Sequence, residues 1–248
     1  GDALTDADNN VAIGQFALST DTLGSRSVAI GRAALITQNF TTATDAYNTA
    51  VGYGAGYAIT TGDRTTLVGG LAGDAITTAD GNTAVGYESL STNVGSENNV
   101  AIGFKALRLY NNSSGSGYNT AVGALAGDQL TTGTDNTIVG GLTGDALTTG
   151  YGVVAIGHEA LTTDTKGDYS VAVGYEALKT QNFTTATNTY NTAIGSFAGK
   201  SVTTGIYNTI VGGLAGDALT DANYNIAVGV QALTADTLGS KSTAVGFN

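Results

Sequence analysis

The chain has 248 residues, with 9 Lys and Arg against 20 Asp and Glu, one His, and no Cys, Met, Pro or Trp. Without cysteine there is no disulfide framework, thiolate zinc site or cysteine nucleophile, and one histidine does not supply an imidazole metal cluster. The formal net charge of −11 has the wrong sign for nucleic acid or an anionic membrane surface. No apolar stretch approaches the roughly 18 residues of a membrane-spanning helix. We therefore expect no nucleic-acid partner, no membrane insertion and no cofactor.

A 17-residue repeat organises the whole chain. Gly, Ala and Thr make up 113 of the 248 residues, a bias that usually reflects repetition. A β-branched residue followed by glycine recurs along the chain, mostly at intervals of 17 residues. Three intervals are longer by 3 or 4 residues, once in every four units, so the repeat has a four-unit superperiod. The glycines are Gly14, Gly31, Gly52, Gly69, Gly86, Gly103, Gly123, Gly140, Gly157, Gly174, Gly195, Gly212, Gly229 and Gly246.

Each unit predicts one short strand. The residue before the glycine is always Val or Ile, the third residue before it is Val, Thr or Ile, and the residue between them is mostly Ala. Strict alternation of strand-favouring residues before a glycine indicates a β-strand that enters a turn. We expect the Val and Ile side chains to form a core ladder. After the glycine, units carry either Ala-Leu, as in Ala17-Leu18, or Ala-Gly with an aliphatic residue three positions later, as in Ala72-Gly73 with Ile76.

Seventeen residues are too few to close a hydrophobic core, so each unit must be covered by the units before and after it. The sequence predicts an all-β fold, a parallel β-solenoid of about 14 coils with a 17-residue repeat and a four-coil superperiod, as one domain over residues 1–248. At the strand spacing of about 4.8 Å, the coils would form a rod roughly 65–70 Å long. Most units also carry Asn four residues before the glycine, and we expect these side-chain amides to stack along the rod. They are Asn10, Asn48, Asn82, Asn99, Asn119, Asn136, Asn191, Asn208 and Asn225.

The strand motif also carries a family resemblance. Units such as Ser27-Val28-Ala29-Ile30-Gly31, Asn48-Thr49-Ala50-Val51-Gly52 and Ser170-Val171-Ala172-Val173-Gly174 resemble the head repeats of trimeric autotransporter adhesins and similar runs in phage tail-fibre proteins. The resemblance covers the whole chain. It implies a left-handed parallel β-roll, usually a homotrimer, that stands on a cell or virion surface and adheres to a target. This chain differs in its longer coil, its four-coil superperiod and its Ala-Gly variant.

The three longer units carry inserted loops near residues 36–47, 108–118 and 179–190. Irregular loops on a repetitive rod usually project from it and carry its variable surface. All Asn-x-Ser/Thr sequons of the chain lie in these loops, at Asn39, Asn111, Asn112 and Asn182, which predicts either glycosylation or plain polar loops. Six aromatic residues in the same loops suit a lateral subunit contact or a glycan platform. They are Phe40, Tyr47, Tyr110, Tyr118, Phe183 and Tyr190.

Two acidic pairs offer alternatives to a purely structural role. Asp128 and Asp145 occupy the same column of adjacent coils, so they are weak candidates for calcium ligands or ordinary turn residues. Glu159 and Glu176 also stack in adjacent coils, about 5 Å apart, a separation found in retaining glycosidases. Because Lys105 stands in the same column, the pair also fits an ordinary surface ladder, and we expect no enzyme activity.

A third alternative is ice binding, because the Thr-x-Thr pairs at Thr20 and Thr163 are similar to ice-binding faces. The pair is sporadic along the chain, whereas a flat ice-binding face would need it in every coil.

Solenoids normally carry polar caps, because an uncapped terminal coil invites another chain. Neither end of this sequence is capped. Asn248 ends early in a repeat unit, and Gly1 begins at nearly the next position of that unit. We interpret this as either a fragment of a longer array or a chain that stacks head to tail. Together these features predict a non-catalytic, extracellular, cell-surface or virion-surface structural protein, a homo-oligomer that forms the shaft of a fibre or filament. The alternative is an adhesin or tail-fibre segment that binds glycans or cells through its inserted loops.

Overall fold

The computed structural model describes residues 1–113 and 115–248. Within these residues the protein is all-β, with no helix, and forms a parallel β-solenoid of about 14 turns whose strands recur about every 17 residues. The predicted fold class is confirmed. The contacts group the chain into two units, Gly1–Asn119 and Thr120–Asn248.

In the first unit, three-residue strands from successive coils pair in parallel, in the order β1-β3-β5-β6-β7-β8. A second, two-residue ladder joins β2 to β4. The strands are β1 (Val11–Ile13), β2 (Gly24–Ser25), β3 (Val28–Ile30), β4 (Thr44–Asp45), β5 (Thr49–Val51), β6 (Thr66–Val68), β7 (Thr83–Val85) and β8 (Val100–Ile102).

The second unit repeats this organisation, with the parallel order β9-β10-β11-β13-β15-β16-β17-β18 and a two-residue ladder of β12 with β14. The strands are β9 (Thr120–Val122), β10 (Thr137–Val139), β11 (Val154–Ile156), β12 (Gly167–Asp168), β13 (Val171–Val173), β14 (Thr187–Asn188), β15 (Thr192–Ile194), β16 (Thr209–Val211), β17 (Ile226–Val228) and β18 (Thr243–Val245).

The alanine face of the strands points into the coil, and the Val and Ile face points out. In β3, for example, Ala29 is fully buried, whereas Val28 and Ile30 are half-buried. The expectation of a Val and Ile core ladder is therefore wrong. In most coils the inner strand position is Ala, but Leu67, Ile138 and Ile210 fill it in three coils that have a glycine in place of the buried leucine four residues after the strand glycine.

The two forms of the repeat are two ways to fill one interior. In coils of the first form a leucine such as Leu35, four residues after the strand glycine, is fully buried with a left-handed φ of 49°. In coils of the second form a glycine such as Gly56 takes this left-handed position, and Ile59 fills the space from three residues further on. A leucine in the left-handed region is strained. The burial of its side chain in the core offsets that strain.

Strand glycines allow the coils to approach at strand spacing. Each has a φ between 123° and 144°, a region that side-chain-bearing residues rarely adopt. A Cβ at Gly86 would lie 2.3 Å from the carbonyl oxygen of Gly103, which occupies the same position in the next coil. The turn therefore requires glycine for two independent reasons.

The pre-strand asparagines fix the register between coils. Asn208 Oδ1 accepts the backbone N–H of Asn225, 17 residues later, at 3.0 Å, and its Nδ2 donates to the Ala222 carbonyl at 2.8 Å. The same two bonds recur at Asn10, Asn48, Asn136 and Asn225. Where two asparagines are neighbours, their amides also bond to each other, as from Asn208 Nδ2 to Asn191 Oδ1 at 3.3 Å. The predicted amide stacking is confirmed at these pairs.

Substitution of Gly56 by alanine tests the interior packing. The new Cβ would lie 2.9 Å from both Leu35 Cδ2 and Leu67 Cδ1, at a φ of 61°. We expect Gly56→Ala to lower the free energy of unfolding by about 2–3 kcal/mol, because it overpacks the core and strains the backbone. Chemical denaturation measures the change. Gly213→Ala is the control, because its Cβ would meet only the Ser196 carbonyl oxygen at 3.9 Å. Equal losses in the two variants would contradict this account of the core.

Candidate functional site

The outer face of the three-residue strands is β-branched and uncharged in every coil. Its two side-chain columns contain only Val, Ile and Thr at the first strand position and only Val and Ile at the last. Ile194 and Ile226 are 41% and 43% exposed. We call this surface the outer strand face. Because most exposed surface positions of a soluble protein are free to carry charged residues, an unbroken column of Val and Ile beside a column of Val, Ile and Thr is informative.

Aromatic residues border the outer strand face on both sides. One column, five residues before the strand glycine, holds Tyr47, Tyr118, Tyr169, Tyr190, Tyr207 and Tyr224. The other, directly after the glycine, holds Tyr53, Tyr87, Phe104, His158, Tyr175 and Phe247. Neighbours in a column touch: the Tyr87 and Phe104 rings stack at 6.0 Å, and those of His158 and Tyr175 at 5.7 Å.

The residues predicted for a lateral contact divide into two groups. Tyr47, Tyr118 and Tyr190 are exposed in the aromatic border of the outer strand face. Phe40, Tyr110 and Phe183 are buried inside their own coils, so they are not available to a partner. These three side chains fill the interior where the inserts widen the coil, and the Tyr110 hydroxyl lies 3.2 Å from Ser96 Oγ. Gly1 and Asn248 are exposed.

Two buried carboxylates, which the sequence reasoning missed, anchor the coils that precede two of the inserts. Asp164 Oδ1 accepts the backbone N–H groups of Gly167 and Phe183 at 3.1 and 3.0 Å, and Oδ2 accepts Gln181 Nε2 at 2.6 Å. Asp21 makes the same three bonds, to Gly24, Phe40 and Gln38. The shared signal is an Asp three residues before a Gly, with Gln-Asn-Phe one coil later.

The inserts project as short surface segments. Residues 41–45 and 184–188 are largely exposed, and the strand pairs β2–β4 and β12–β14 tie their ends to the preceding coil. Asn39 and Asn182 are exposed at equivalent positions, and each accepts a threonine hydroxyl through Oδ1, from Thr22 and Thr165 respectively.

The insert near residues 108–118 carries the other two sequons. Asn111 is exposed, and its Oδ1 accepts the Val94 N–H at 3.3 Å. The sequon of Asn112 ends at Ser114, which lies outside the described residues. Glycosylation stays a prediction at all four asparagines.

The candidate calcium ligands are engaged within the protein. Asp145 Oδ1 accepts the Thr162 hydroxyl, and Asp128 Oδ2 accepts Gln129 Nε2. Burial raises the pKa of the Asp145 carboxyl, and the charges of Asp128 and Glu159 raise it further. In residues 1–113 and 115–248, no three His, Cys, Asp or Glu side chains are grouped to hold a metal ion.

The stacked carboxylates Glu159 and Glu176 belong to an ion-pair chain. Lys179 Nζ lies 2.5 Å from Glu159 Oε2 and 3.3 Å from Glu176 Oε1, and Lys200 Nζ lies 2.7 Å from Glu176 Oε2. The bond from Lys200, helped by those from Tyr175 and Lys179, lowers the pKa of Glu176 to about 2. A general acid needs the opposite shift, so this geometry favours a surface ladder over a catalytic pair.

The Thr-x-Thr hydroxyls are occupied by the next coil. The Thr163 hydroxyl donates to the carbonyls of Lys179 and Gln181, and that of Thr165 to the Phe183 carbonyl. Thr20 and Thr22 repeat the arrangement. These threonines therefore join coils, because their hydroxyls bond to backbone carbonyls of the next coil.

Comparison with protein-family models, curated proteins and solved structures found no match for this chain. Among the described residues, no helix has the length and apolar character needed to span a membrane.

Replacing Asp164 with asparagine tests the buried carboxylate. The new amide must turn an N–H toward Gln181 Nε2 or toward a backbone N–H, so at least one donor loses its acceptor. We expect Asp164→Asn to lower the free energy of unfolding by about 2 kcal/mol, as measured by chemical denaturation. Asp236→Asn is the control, because the bond from the Gly239 N–H that Asp236 accepts at 2.8 Å is also open to an amide oxygen. If Asp236→Asn lowered the free energy of unfolding as much as Asp164→Asn, the bonds that Asp164 accepts from Phe183 and Gln181 would contribute nothing to stability.

The ion-pair chain predicts a pH-dependent stability. The pKa of Glu176 is lower in the folded protein than its ordinary value of 4.5, so its ion pairs stabilise the fold above that value and are lost as the pH falls toward 2. We expect Glu176→Gln to lower the Tm at pH 7 and to match the unmodified protein near pH 2. Thermal melts across this range measure the difference, and Lys200→Gln should follow the same profile. A pH-independent difference would contradict the assignment.

Proposed function

We propose that this chain is a non-catalytic structural protein that forms the shaft of an extracellular fibre or filament by associating with further copies of itself. The single observation that carries the proposal is the outer strand face, an uncharged β-branched ladder present in every coil. The whole length of the chain maintains this surface, which is the pattern expected of a shaft rather than of a local binding pocket.

The outer strand face is long and narrow. A strand spacing of about 4.8 Å and a width of about 10 Å for three residues give roughly 300 Å² in the first unit and roughly 400 Å² in the second. The largest apolar patch of a soluble monomer is itself about 300–600 Å² and is often functional, and specific interfaces bury about 800 Å² on each partner. The outer strand face is therefore large enough to be the centre of an interface.

A second copy of the chain is the occupant that this surface fits best. The chain carries a net charge of −11, so two copies repel each other wherever charged columns meet. The outer strand face has no charged residue in its two columns, and it is the strip along which copies approach at the least electrostatic cost. The resemblance to trimeric adhesin head repeats favours three copies, and head-to-tail stacking would extend the assembly into a filament.

Adhesion through the inserts is the second candidate. It rests on the exposed segments 41–45 and 184–188, which follow the sequon asparagines Asn39 and Asn182 and lie outside the strands that form the outer strand face. Binding of the isolated protein to glycans or cells, lost when the inserts are shortened to a 17-residue coil, would favour this function.

Charge substitutions on the outer strand face test self-association. We expect Ile194→Lys with Ile226→Lys to convert the assembly into single chains, because both exposed side chains would place a lysine in the interface. Analytical ultracentrifugation gives the mass of the particle. Circular dichroism checks that the variant keeps its fold.

The matched control adds the same charge elsewhere. Ala43→Lys with Ala186→Lys changes two exposed residues of the inserts, and this variant should assemble as the unmodified protein does. Single chains in the unmodified protein at every concentration, or equal assembly of the outer-face variant, would contradict the proposal. Electron microscopy separates long filaments from closed oligomers.

A further inference from the structure

Four tyrosines in consecutive coils of the second unit form a continuous stack. The ring centroids of Tyr169 and Tyr190 are 5.2 Å apart, those of Tyr190 and Tyr207 are 5.6 Å apart, and those of Tyr207 and Tyr224 are 4.9 Å apart. Each pair of ring planes lies within 17° of parallel. Tyr151 meets Tyr169 edge-on at 5.4 Å. We call these five residues the tyrosine row.

The composition of the chain leaves tyrosine as its most easily oxidised side chain. The sequence contains 12 Tyr but no Cys, Met or Trp. Cysteine and methionine are the side chains that peroxides usually attack first. An oxidant that meets this protein therefore finds phenols, and the tyrosine row is where phenols touch one another.

We propose that the tyrosine row is a site of oxidative cross-linking, in which a one-electron oxidant such as a peroxidase with hydrogen peroxide joins neighbouring tyrosines as dityrosine. This inference does not depend on the self-association proposed above, because both partners of the bond belong to one chain.

The reaction balances with one peroxide for each cross-link. Each of two phenols loses one electron and one proton, which yields two phenoxyl radicals and reduces one hydrogen peroxide to two water molecules. The radicals join through the ring carbons next to the hydroxyl-bearing carbons, forming a carbon–carbon bond. Each of those two carbons then loses its hydrogen as a proton, and each ring carbonyl oxygen takes up a proton, which restores both aromatic rings and both hydroxyl groups. The product is lighter than the starting protein by two hydrogen atoms.

The geometry allows this bond without unfolding the coils. The ring centroids of Tyr207 and Tyr224 are 4.9 Å apart, so the two side chains need only turn from face to face to edge to edge and close this gap for their ring carbons to reach a bonding distance of about 1.5 Å. The four stacked side chains are 38–53% exposed, and exposed side chains make such movements on the picosecond to nanosecond timescale. Their exposed edges also give an external oxidant access.

The consequence would be a covalent tie between adjacent coils. The coils are otherwise held together by noncovalent contacts, because the chain has no cysteine. A cross-link between coils removes freedom from the unfolded chain, so oxidised protein should melt at a higher temperature than untreated protein.

The test treats the full chain with peroxidase and hydrogen peroxide at low protein concentration, which suppresses bonds between molecules. Dityrosine fluorescence reports the yield, and mass spectrometry of digests identifies the joined peptides. We expect cross-links between neighbours in the tyrosine row, such as Tyr207 with Tyr224. Tyr169→Phe with Tyr207→Phe keeps the aromatic stack but separates every remaining phenol of the row by a phenylalanine, so it should lose these cross-links.

The matched control is Tyr47→Phe with Tyr53→Phe. These exposed tyrosines lie against Arg26 and Arg32, and their removal should leave the yield unchanged. Equal intrachain yield in the Tyr169 and Tyr207 double variant would overturn the proposal. So would cross-links that form only between chains, with a yield that rises with protein concentration.

Discussion

Within each unit, successive coils are tied together by hydrogen bonds between positions one coil apart, and this register is the constraint on which the rest depends. The pre-strand asparagine sets it, because one side chain accepts the N–H 17 residues later and donates to the carbonyl 14 residues later. The strand glycine then lets the two backbones approach, since a Cβ at Gly86 would collide with the Gly103 carbonyl. Where the asparagine is replaced, as at Val153 and Ser170, the strand ladder alone keeps equivalent positions stacked at strand spacing.

A fixed register imposes a fixed interior volume, which explains the two forms of the repeat. Leu35 occupies a left-handed position and fills the coil directly, whereas Gly56 leaves a space that Ile59 occupies from further along the chain. The inserts obey the same constraint. Extra residues leave the coil as a surface segment, while Phe40 or Phe183 turns inward and the buried Asp21 or Asp164 holds the backbone around it.

The repeat length and the alternation before each glycine were enough to predict the strands, their parallel order and the places of the inserts, because these features follow from backbone periodicity. Alternation alone does not say which face is inside. That depends on the width of the coil, which favoured Ala29 over Val28 and Ile30. The burial of Tyr110 depended on a space opened by the insert, and the network around Asp164 joins residues from two coils. Neither is visible in a single unit.

Stacking in register also limits how such a chain can carry function. A side chain at one position is repeated above and below, so the surface consists of columns rather than isolated groups. Columns suit long, continuous contacts, and they suit chemistry between like neighbours, such as Tyr207 and Tyr224. They suit catalytic sites poorly, because these bring unlike groups together from several directions. The ion-pair chain of Glu159, Lys179 and Glu176 illustrates the limit, since unlike charges meeting across coils neutralise one another. A solenoid of this kind therefore offers strips along its length, and its uncharged, β-branched strip is the outer strand face.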